Sequence, residues 1–357
     1  MKLKKALITA GGKGTRLRPI TYVHNKHLIP LVNKPMLQYA IEYVTSSGIK
    51  DIGIITNPEF DELEAWFGNG KALGVHLTYI PQEKPLGLAH AIITAEPFLK
   101  GDPFVYYLGD NILRGGIQKF IDAFYENKSD CHLVLSKVKD PQRFGVPQLI
   151  DGRIVSIEEK PQKPKSDFAV TGIYLYNESI FEAVHAIKPS PRGELEISDA
   201  HQYLIQQNKK ITYSIISGWW KDTGKPEDLL EANRMLLQDV EDQQRGSIDD
   251  ASFLSGNVYV SEGSVIEKSV IRGPVHIGKN CRILNSYLGP YTCIGHGCEI
   301  LNSEIEYSIL MDNAAIRSVD IRIEGSILGK AAVIQKTKGI PNNHRFIIGD
   351  QSQVQIR

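Results

Sequence analysis

The sequence predicts two architectures in one chain: an α/β domain with a mostly parallel sheet and, after it, a parallel β-helix. From residue 5 to about 240, short apolar runs alternate with longer segments of helical period. From Val258 onward the period changes to about six, and an aliphatic residue opens each hexad. The chain has 357 residues, which is enough for two or three domain-sized units.

The α/β pattern predicts strands and helices in regular alternation. Apolar residues recur at three- and four-residue spacing in each predicted helix, which is the spacing of a face that packs on a sheet. The predicted strands cover residues 6–9, 52–56, 77–80, 104–108, 133–138, 154–158, 170–176 and 211–216, and the predicted helices cover residues 36–47, 60–67, 88–95, 117–127, 178–186, 198–206 and 226–238. Helices that pack on a parallel sheet make a three-layer domain.

A polar stretch separates the two patterns. Residues 238–250 have almost no apolar periodicity, which is typical of a linker. We therefore predict a domain of residues 1–240, a linker of residues 241–250, and a β-helix domain of residues 251–357 that ends in a polar tail. Hexads such as those that open at Ile277 and Ile294 predict about four coils of roughly 18 residues each between residues 258 and 333.

The charge balance and the cysteines exclude several classes of protein. Lys plus Arg and Asp plus Glu both number 41, so no net field attracts nucleic acid or an anionic membrane, and we expect neither as a partner. The four cysteines form no disulfide framework and no zinc motif. The apolar run behind the basic N-terminus is too short for a signal peptide, so we expect a cytoplasmic protein.

A glycine-rich turn follows the first predicted strand. Residues 11–16 contain three glycines and end in Arg16, but they match neither the Walker P-loop nor the Gly-x-Gly-x-x-Gly pattern. Backbone amides can approach an anion in such a turn because side chains are absent. Lys26 adds a cation further along the loop, which suits a triphosphate. A simple tight turn between strand and helix is the alternative.

Two acidic residues follow separate predicted strands. Asp110 comes after strand 104–108, and Asp222 comes after strand 211–216. Ligands bind at the carboxyl ends of parallel strands, and carboxylates there can hold a divalent cation. Each acid could instead be a helix cap or a turn residue. If the two acids meet, they could share one Mg²⁺.

Glu159 and Lys160 follow the strand predicted at 154–158. A carboxylate accepts hydrogen bonds from sugar hydroxyls, and an ammonium group pairs with phosphate, so the two side chains could bind a sugar phosphate together. A surface ion pair with little consequence is the alternative.

These motifs occur in an order that resembles the sugar-1-phosphate nucleotidyltransferase family. The resemblance covers nearly the whole chain and is greatest to long-form members with an added C-terminal left-handed β-helix. It rests on residues 11–17, Lys26, residues 30–35, Gln82, and residues 85–89, 108–111, 144–146, 158–161, 170–172, 192–199 and 220–224. The resemblance implies a Rossmann-like nucleotidyltransferase domain and a left-handed parallel β-helix, and the β-helix architecture predicts a homo-oligomer.

The resemblance also implies roles for particular residues, with dTTP and glucose 1-phosphate as substrates and Mg²⁺ as cofactor. It assigns nucleotide binding to Gly11, Gly12, Gly14, Thr15, Arg16, Lys26, Gln82, Gly87 and Asp110, and substrate binding to Asn111, Gly145, Glu159, Lys160, Val170 and Trp220. It assigns metal binding to Asp110 and Asp222, and catalysis to Arg16, Lys26, Asp110, Lys160 and Asp222.

Three alternatives remain at this stage. UTP could replace dTTP or be used beside it, because His27, His90 and Leu86 depart from the short-form pattern near the nucleotide. A β-helix that also transfers acetyl groups is a second alternative, and a catalytically silent regulatory subunit is a third. For His24, His27 and His90 we expect hydrogen bonding or packing, because no second metal ligand lies at a suitable spacing.

Overall fold

The computed structural model describes residues 3–58, 62–337, 345–346 and 348–356. Contact density divides the chain into two compact units, and neither is a single run of sequence. The first unit comprises Met1–Lys13, His24–Leu28 and Met36–Asp222, and the second comprises Gly14–Val23, Ile29–Pro35 and Thr223–Arg357. The boundary predicted near residue 240 falls inside the second unit. The predicted domain division stays a prediction, because compact packing does not by itself establish independent folding.

The observed elements before the β-helix follow the predicted alternation closely. The strands are β1 (Lys5–Thr9), β2 (Pro30–Leu31), β3 (Lys34–Pro35), β4 (Asp51–Thr56), β5 (His76–Pro81), β6 (Phe104–Leu108), β7 (Asn111–Leu113), β8 (Cys131–Lys137), β9 (Gly145–Ile150), β10 (Arg153–Glu159), β11 (Phe168–Tyr176), β12 (Ile211–Ile215) and β13 (Trp220–Asp222). The helices are α1 (Met36–Ser46), α2 (Glu62–Phe67), α3 (Leu88–Leu99), α4 (Gln118–Glu126), α5 (Ser179–Ala186), α6 (Ile197–Gln206) and α7 (Pro226–Leu237). None of the described helices is long and apolar enough to cross a membrane.

The first unit is built on a seven-stranded sheet in the order β12-β8-β11-β6-β1-β4-β5. Strand β11 runs antiparallel to both neighbours, and the other neighbouring pairs are parallel. Ala6 and Ile8 of β1 join a hydrophobic cluster with residues of α1 and α4, whereas Leu7 joins one with residues of α3, α5 and α6. Successive strand residues therefore bury opposite faces. This arrangement confirms the predicted mostly parallel, three-layer α/β fold.

The sequence missed strand β9, the shortest elements and one helix end. Strands β2, β3, β7 and β13 have three residues or fewer, too few to show a period, and they pair as β2 with β3 and β7 with β13. Helix α3 was expected to end at residue 95 but continues through Pro97, whose missing N–H weakens the last turn only. Residues 60 and 61 of the helix predicted at 60–67 lie outside the described residues.

The second unit contains the predicted parallel β-helix. Its strands are β14 (Gln243–Gln244), β15 (Ser247–Ile248), β16 (Phe253–Ser255), β17 (Val258–Val260), β18 (Val265–Glu267), β19 (Val270–Arg272), β20 (Val275–Ile277), β21 (Arg282–Leu284), β22 (Tyr287–Leu288), β23 (Thr292–Ile294), β24 (Glu299–Leu301), β25 (Glu304–Glu306), β26 (Ile309–Leu310), β27 (Ala315–Arg317), β28 (Ile323–Glu324), β29 (Ile327–Leu328) and β30 (Val333–Gln335). Within the described part of the chain they form three sheets of six, six and five strands, and every pairing is parallel. This pattern confirms the fold class predicted for the C-terminal part.

The β-helix is longer than the sequence predicts. Val258 pairs with Val275, which pairs with Thr292, a repeat of 17 residues. The first strands, β14 and β15, lie in the predicted linker, and the six-strand sheets contain more coils than the predicted four. Side chains in this stretch are mostly polar, but the backbones of β14 and β15 pair with the next coil. Residues 338–344, 347 and 357 of the predicted tail lie outside the described residues.

A ladder of serines satisfies backbone groups at one corner of the β-helix. The hydroxyl oxygens of Ser252, Ser269, Ser286 and Ser303 each accept a hydrogen bond from the backbone N–H one coil further on, at 3.1–3.3 Å. The last of these N–H groups belongs to Val319. Because three of the four serines are buried, water cannot replace these acceptors.

We expect Ser286→Ala to lower the free energy of unfolding by about 1–3 kcal/mol, because it leaves the buried N–H of Ser303 without an acceptor. Urea unfolding followed by circular dichroism measures the loss. The matched control is Ser326→Ala, since that hydroxyl donates to Glu324 O at 2.9 Å and accepts no hydrogen bond from a described residue. Equal losses in the two variants would contradict the stabilising role of the ladder.

Candidate active site

Asp110 lies just beyond the carboxyl end of β6, beside Lys26. The Lys26 ammonium group donates a hydrogen bond to Asp110 Oδ2, and the two side chains are only 10% and 16% exposed. Burial by itself raises the pKa of Asp110. The positive charge of Lys26 and the hydrogen bonds from Lys26 and Asn111 outweigh burial and hold that pKa well below its usual range. Asp110 is therefore a carboxylate at neutral pH.

Asn111 fixes the orientation of the Asp110 carboxylate. Its Nδ2 donates to Asp110 Oδ1 at 2.9 Å, and its Oδ1 accepts from Trp220 Nε1 at 2.7 Å and from Gly172 N at 3.2 Å. A Cβ at Gly172 would lie 2.8 Å from Asn111 Cγ, so the close approach requires glycine. The sequence predicts that Asn111 and Trp220 bind substrate. In the structure they bind each other, and their contact with substrate stays a prediction.

The pairing of β7 with β13 brings Asp222 to the same end of the sheet. Asp222 lies opposite Asn111, the residue after Asp110. The pKa of Tyr174 shows that the region is negatively charged. Burial raises this pKa, and the negative charges of Glu159, Asp110 and Asp222 raise it further. The negative charges of three carboxylates from separate segments therefore act on one buried phenol.

The pair Asp110 and Asp222 has the donor chemistry of a magnesium site. Mg²⁺ prefers oxygen ligands and is usually bound by one or two carboxylates together with substrate phosphates. Among the described residues, no group of three or more His, Cys, Asp and Glu side chains is arranged to hold a metal ion.

A second cluster centres on Glu159, at the end of β10. Glu159 Oε2 accepts from Ser198 Oγ at 2.7 Å, and Oε1 lies 3.2 Å from Lys160 Nζ. A Cβ at Gly145 would lie 2.6 Å from Ser198 Oγ and 3.8 Å from Val170 Cβ. The structure thus groups four residues that the sequence assigns to sugar phosphate binding: Gly145, Glu159, Lys160 and Val170.

Arg192 and Ser198 also belong to this cluster, although the sequence motifs predict no role for either residue. Arg192 Nη2 lies 2.7 Å from Glu196 Oε1 and 3.7 Å from Glu159 Oε1, so it adds a second cation beside Lys160. Both residues fall within the segment 192–199 that carries part of the resemblance. The sequence signal was an arginine followed by several acids, but it could not show that the segment reaches Glu159.

Gln82 and Gly87 meet near the start of α3. Gln82 Nε2 donates to Gly87 O at 3.3 Å and contacts His90 Nδ1 at 2.8 Å, while burial lowers the pKa of His90. Gly87 has a φ of 105°, and a Cβ there would lie 2.5 Å from Leu195 O, so only glycine fits. Gln82 Oε1 accepts no hydrogen bond from any described residue, which leaves an acceptor for a ligand.

The expectation that the histidines serve hydrogen bonding or packing is confirmed. His90 pairs with Gln82, His24 Nδ1 lies 3.0 Å from Glu62 Oε1, and His27 Nδ1 lies 2.9 Å from Asn25 Oδ1. His27 is fully buried, and burial followed by the charge of Lys26 lowers its pKa to about 3. His27 is therefore neutral at physiological pH.

The glycine-rich turn is divided between the two units. In the first unit, a Cβ at Gly11 would lie 3.2 Å from Thr56 C, and one at Gly12 would lie 3.5 Å from Lys26 Cε. Both glycines therefore allow close packing of backbone and of the lysine side chain.

In the second unit, Gly14 has a φ of 59°, and its carbonyl accepts from Thr21 Oγ1 at 2.7 Å. The Arg16 guanidinium lies over Gly224, where a Cβ would be 2.8 Å from Nη2. Thr15 and Arg16 are exposed, and no described residue forms an ion pair with Arg16. Its charge is available to an anionic ligand.

Comparison with known proteins assigns the chain to a family. A nucleotidyl transferase profile matches residues 5–239. The chain belongs to the nucleotidyl transferase family.

Individual members of the family extend the similarity beyond the profile. A glucose-1-phosphate thymidylyltransferase from Streptomyces griseus is 44% identical over 353 residues, 99% of each chain, so the match includes the β-helix. A candidate glucose-1-phosphate thymidylyltransferase from Bacillus anthracis, solved with sucrose, is 41% identical with a TM-score of 0.62 and covers 67% of this chain and 97% of its own. A UDP-glucose pyrophosphorylase solved with UDP-glucose is 28% identical with a TM-score of 0.60, covering 66% and 99%.

The Lys26 and Asp110 pair of this nucleotidyl transferase yields a prediction for stability. At neutral pH, Lys26→Met should lower the free energy of unfolding by about 3–5 kcal/mol, because the buried Asp110 carboxylate loses its cation. Adding Asp110→Asn to Lys26→Met should recover most of the loss, as measured by urea unfolding of both variants.

The sign of the pH dependence distinguishes this explanation from a simple packing defect. In the native chain the depressed pKa of Asp110 contributes stability that is present above about pH 4 and lost as the pH falls further. In Lys26→Met, burial raises that pKa instead, so the deficit relative to the native chain should shrink as the solution is acidified. A deficit that stays constant with pH would contradict the prediction.

Proposed function

We propose that this nucleotidyl transferase transfers a thymidylyl group from dTTP to glucose 1-phosphate, giving dTDP-glucose and pyrophosphate. The observation that carries the proposal is similarity over 99% of both chains to a relative named glucose-1-phosphate thymidylyltransferase. The site agrees with this chemistry, because its cations and carboxylates lie at the carboxyl end of a parallel sheet.

The reaction needs charge neutralisation more than proton transfer. The attacking oxygen of glucose 1-phosphate is already anionic at neutral pH, so no side chain has to act as a general base. This oxygen forms a bond to the α-phosphorus of dTTP while the bond to the pyrophosphate oxygen breaks. The main obstacle is repulsion between two anions. In our proposal, the positive charges of Arg16, Lys26 and Lys160 reduce this repulsion.

Mg²⁺ is the cofactor that we propose for the carboxylate pair, held by Asp110 and Asp222 together with phosphate oxygens. When bound, it would neutralise phosphate charge and favour departure of pyrophosphate. The protein's own contribution is orientation: Asn111 fixes one oxygen of Asp110, and Lys26 binds the other. Lys26 keeps this carboxylate ionised and ready for a cation.

The Glu159 cluster supplies the proposed site for glucose 1-phosphate. Glu159 can accept hydrogen bonds from sugar hydroxyls, and Lys160 and Arg192 can pair with the phosphate. Side-chain exposures of 45% for Lys160 and 44% for Arg192 leave both cations accessible to a ligand. Ser198 holds Glu159 from the other side, so the carboxylate does not have to reorganise when the sugar binds.

Gln82 offers a physical basis for base selection. Both hydrogens of its amide nitrogen are directed to Gly87 and His90, which leaves Oε1 as the acceptor. Thymine and uracil carry an N3–H that can donate to Oε1, whereas N3 of cytosine is itself an acceptor. UTP is therefore the second candidate donor, and the similarity to a UDP-glucose pyrophosphorylase favours keeping it.

We also propose that the protein is a cytoplasmic homo-oligomer. Four free, buried cysteines are compatible with a reducing compartment. Phe253 and Val270 pair in adjacent coils of the β-helix and are 60% and 37% exposed, which offers an apolar surface to a second copy.

We expect Asp110→Asn and Asp222→Asn each to lower kcat by at least about 100-fold, equivalent to about 2.7 kcal/mol of transition-state stabilisation. Pyrophosphate release at saturating Mg²⁺ measures the effect, and Asp122→Asn on the exposed face of α4 is the matched control. Near-normal turnover in either active-site variant would exclude that acid from the metal site.

A nucleotide panel with glucose 1-phosphate tests the proposed donor. We expect dTTP to give the highest kcat/KM and UTP a lower one, by about 1–3 kcal/mol for the missing methyl group. CTP, ATP and GTP should be far weaker, and Gln82→Ala should erode the order while Gln38→Ala on α1 leaves it unchanged. A higher kcat/KM for UTP than for dTTP would overturn the thymidylyl assignment, and a preference for purines would refute the role of Gln82.

A further inference from the structure

The tip of the β2–β3 hairpin is bound by the β-helix. Val32 and Asn33 form this tip with φ values of 48° and 58°. Asn33 Nδ2 donates to Ile294 O at 2.7 Å and to His276 Nδ1 at 3.0 Å, and Asn33 Oδ1 accepts from Cys293 Sγ at 3.3 Å. All these residues belong to the second unit. One asparagine side chain therefore makes three contacts with two neighbouring coils.

The β-helix surface under Asn33 is organised for this contact. His276 and Cys293 are paired in register on β20 and β23, between core residues, so they point outward from the coil. Cys293 is nevertheless only 1% exposed. His276 stacks on Tyr259 with ring centroids 4.6 Å apart, and burial lowers its pKa to about 4, so its neutral ring can accept from Asn33. Cys293 is buried and His276 is partly buried, although both face outward, because the hairpin covers them.

Helix α7 connects the hairpin to Arg16. The backbone N–H of Val32 donates to Asn233 Oδ1 at 2.9 Å, and Asn233 is 1% exposed. Gly224, which lies two residues before α7, is the residue over which the Arg16 guanidinium rests. Two contacts, one at each end of the segment from Gly224 to Asn233 and joined by helix α7, thus link the hairpin to Arg16 within one compact unit.

We propose that the β-helix positions Arg16 for the nucleotide, and that Asn33 is the positioning residue that transmits this restraint. The β-helix is then part of the nucleotide-binding apparatus rather than an assembly surface alone. Asn33 itself does not contact the reacting groups in this scheme; it acts through Val32, Asn233 and Gly224 on the guanidinium. The inference rests on the proposed function in one respect, that Arg16 binds the triphosphate.

The test compares dTTP affinities, measured by isothermal titration calorimetry with Mg²⁺ and without sugar phosphate, in the full-length chain. Asn33→Gly removes the three contacts but accepts the left-handed backbone without strain. We expect it to weaken dTTP binding by about fivefold. The matched control is Asn285→Gly, because Asn285 has a φ of 48° and its side chain donates to Asn302 at 3.0 Å in another part of the β-helix. The control should bind dTTP as the native chain does.

A double variant separates positioning from a general structural effect. If Asn33 acts through Arg16, adding Asn33→Gly to Arg16→Ala should cause no further loss of affinity. Should Asn33→Gly fold poorly, Asn33→Asp removes the two N–H donations and keeps the acceptor, and the same result is expected of it. Native affinity in a folded Asn33 variant, an equal loss in Asn285→Gly, or additive losses in the double variant would each overturn the inference.

Failure of the proposed function gives a different result. A native chain that binds dTTP without releasing pyrophosphate in the presence of glucose 1-phosphate contradicts the proposed reaction and leaves the positioning test valid. If the native chain prefers another triphosphate, the same variants are compared with that nucleotide. A native chain that binds no triphosphate contradicts both proposals.

Discussion

The ion pair between Lys26 and Asp110 is the constraint on which the candidate active site depends. Both side chains are largely buried, so each charge would be costly without the other. The pair is stable only if its geometry is fixed from several directions. Asn111 provides one restraint through its hydrogen bond to the carboxylate, and Trp220 holds the Asn111 amide in place. A strand pair of three residues, β7 with β13, thus positions a carboxylate at the centre of the site.

Glycines permit this arrangement by bringing polar groups closer than side chains would allow. Gly172 admits the amide of Asn111, and Gly224 admits the guanidinium of Arg16, where a Cβ would lie within 2.8 Å in each case. Neither position has a left-handed φ. The requirement is space and not backbone freedom, so a substitution to alanine would displace the neighbouring side chain without straining the backbone.

The β-helix obeys a different physical rule from the sheet. Its repeat of 16 to 18 residues places paired residues directly above one another, so backbone pairing and serine hydroxyls satisfy its polar groups coil by coil. Polar coils can therefore join the stack without an apolar pattern, as β14 and β15 do. The same regularity offers a flat outer face, and Asn33 binds to two of its coils.

The sequence by itself determined the architecture and the identity of the candidate residues. Apolar residues form recognisable patterns in the sequence of strands such as β6 and β11 and of amphipathic helices such as α4. The patterns arise because these elements bury apolar side chains in the core. The hexads predicted the β-helix for the same reason. Ordered motifs added the family and named Asp110, Asp222 and Glu159, although their roles remain predictions.

Only the tertiary structure decided which of these residues meet. The β7–β13 register, the approach of Arg192 and Ser198 to Glu159, and the docking of Asn33 on the β-helix each join segments far apart in sequence. Such contacts involve a few polar residues. They produce no repeating pattern in the sequence, because they bury no extended apolar face. The extra coils escaped prediction for a related reason: backbone pairing to a neighbouring coil places little demand on side-chain type.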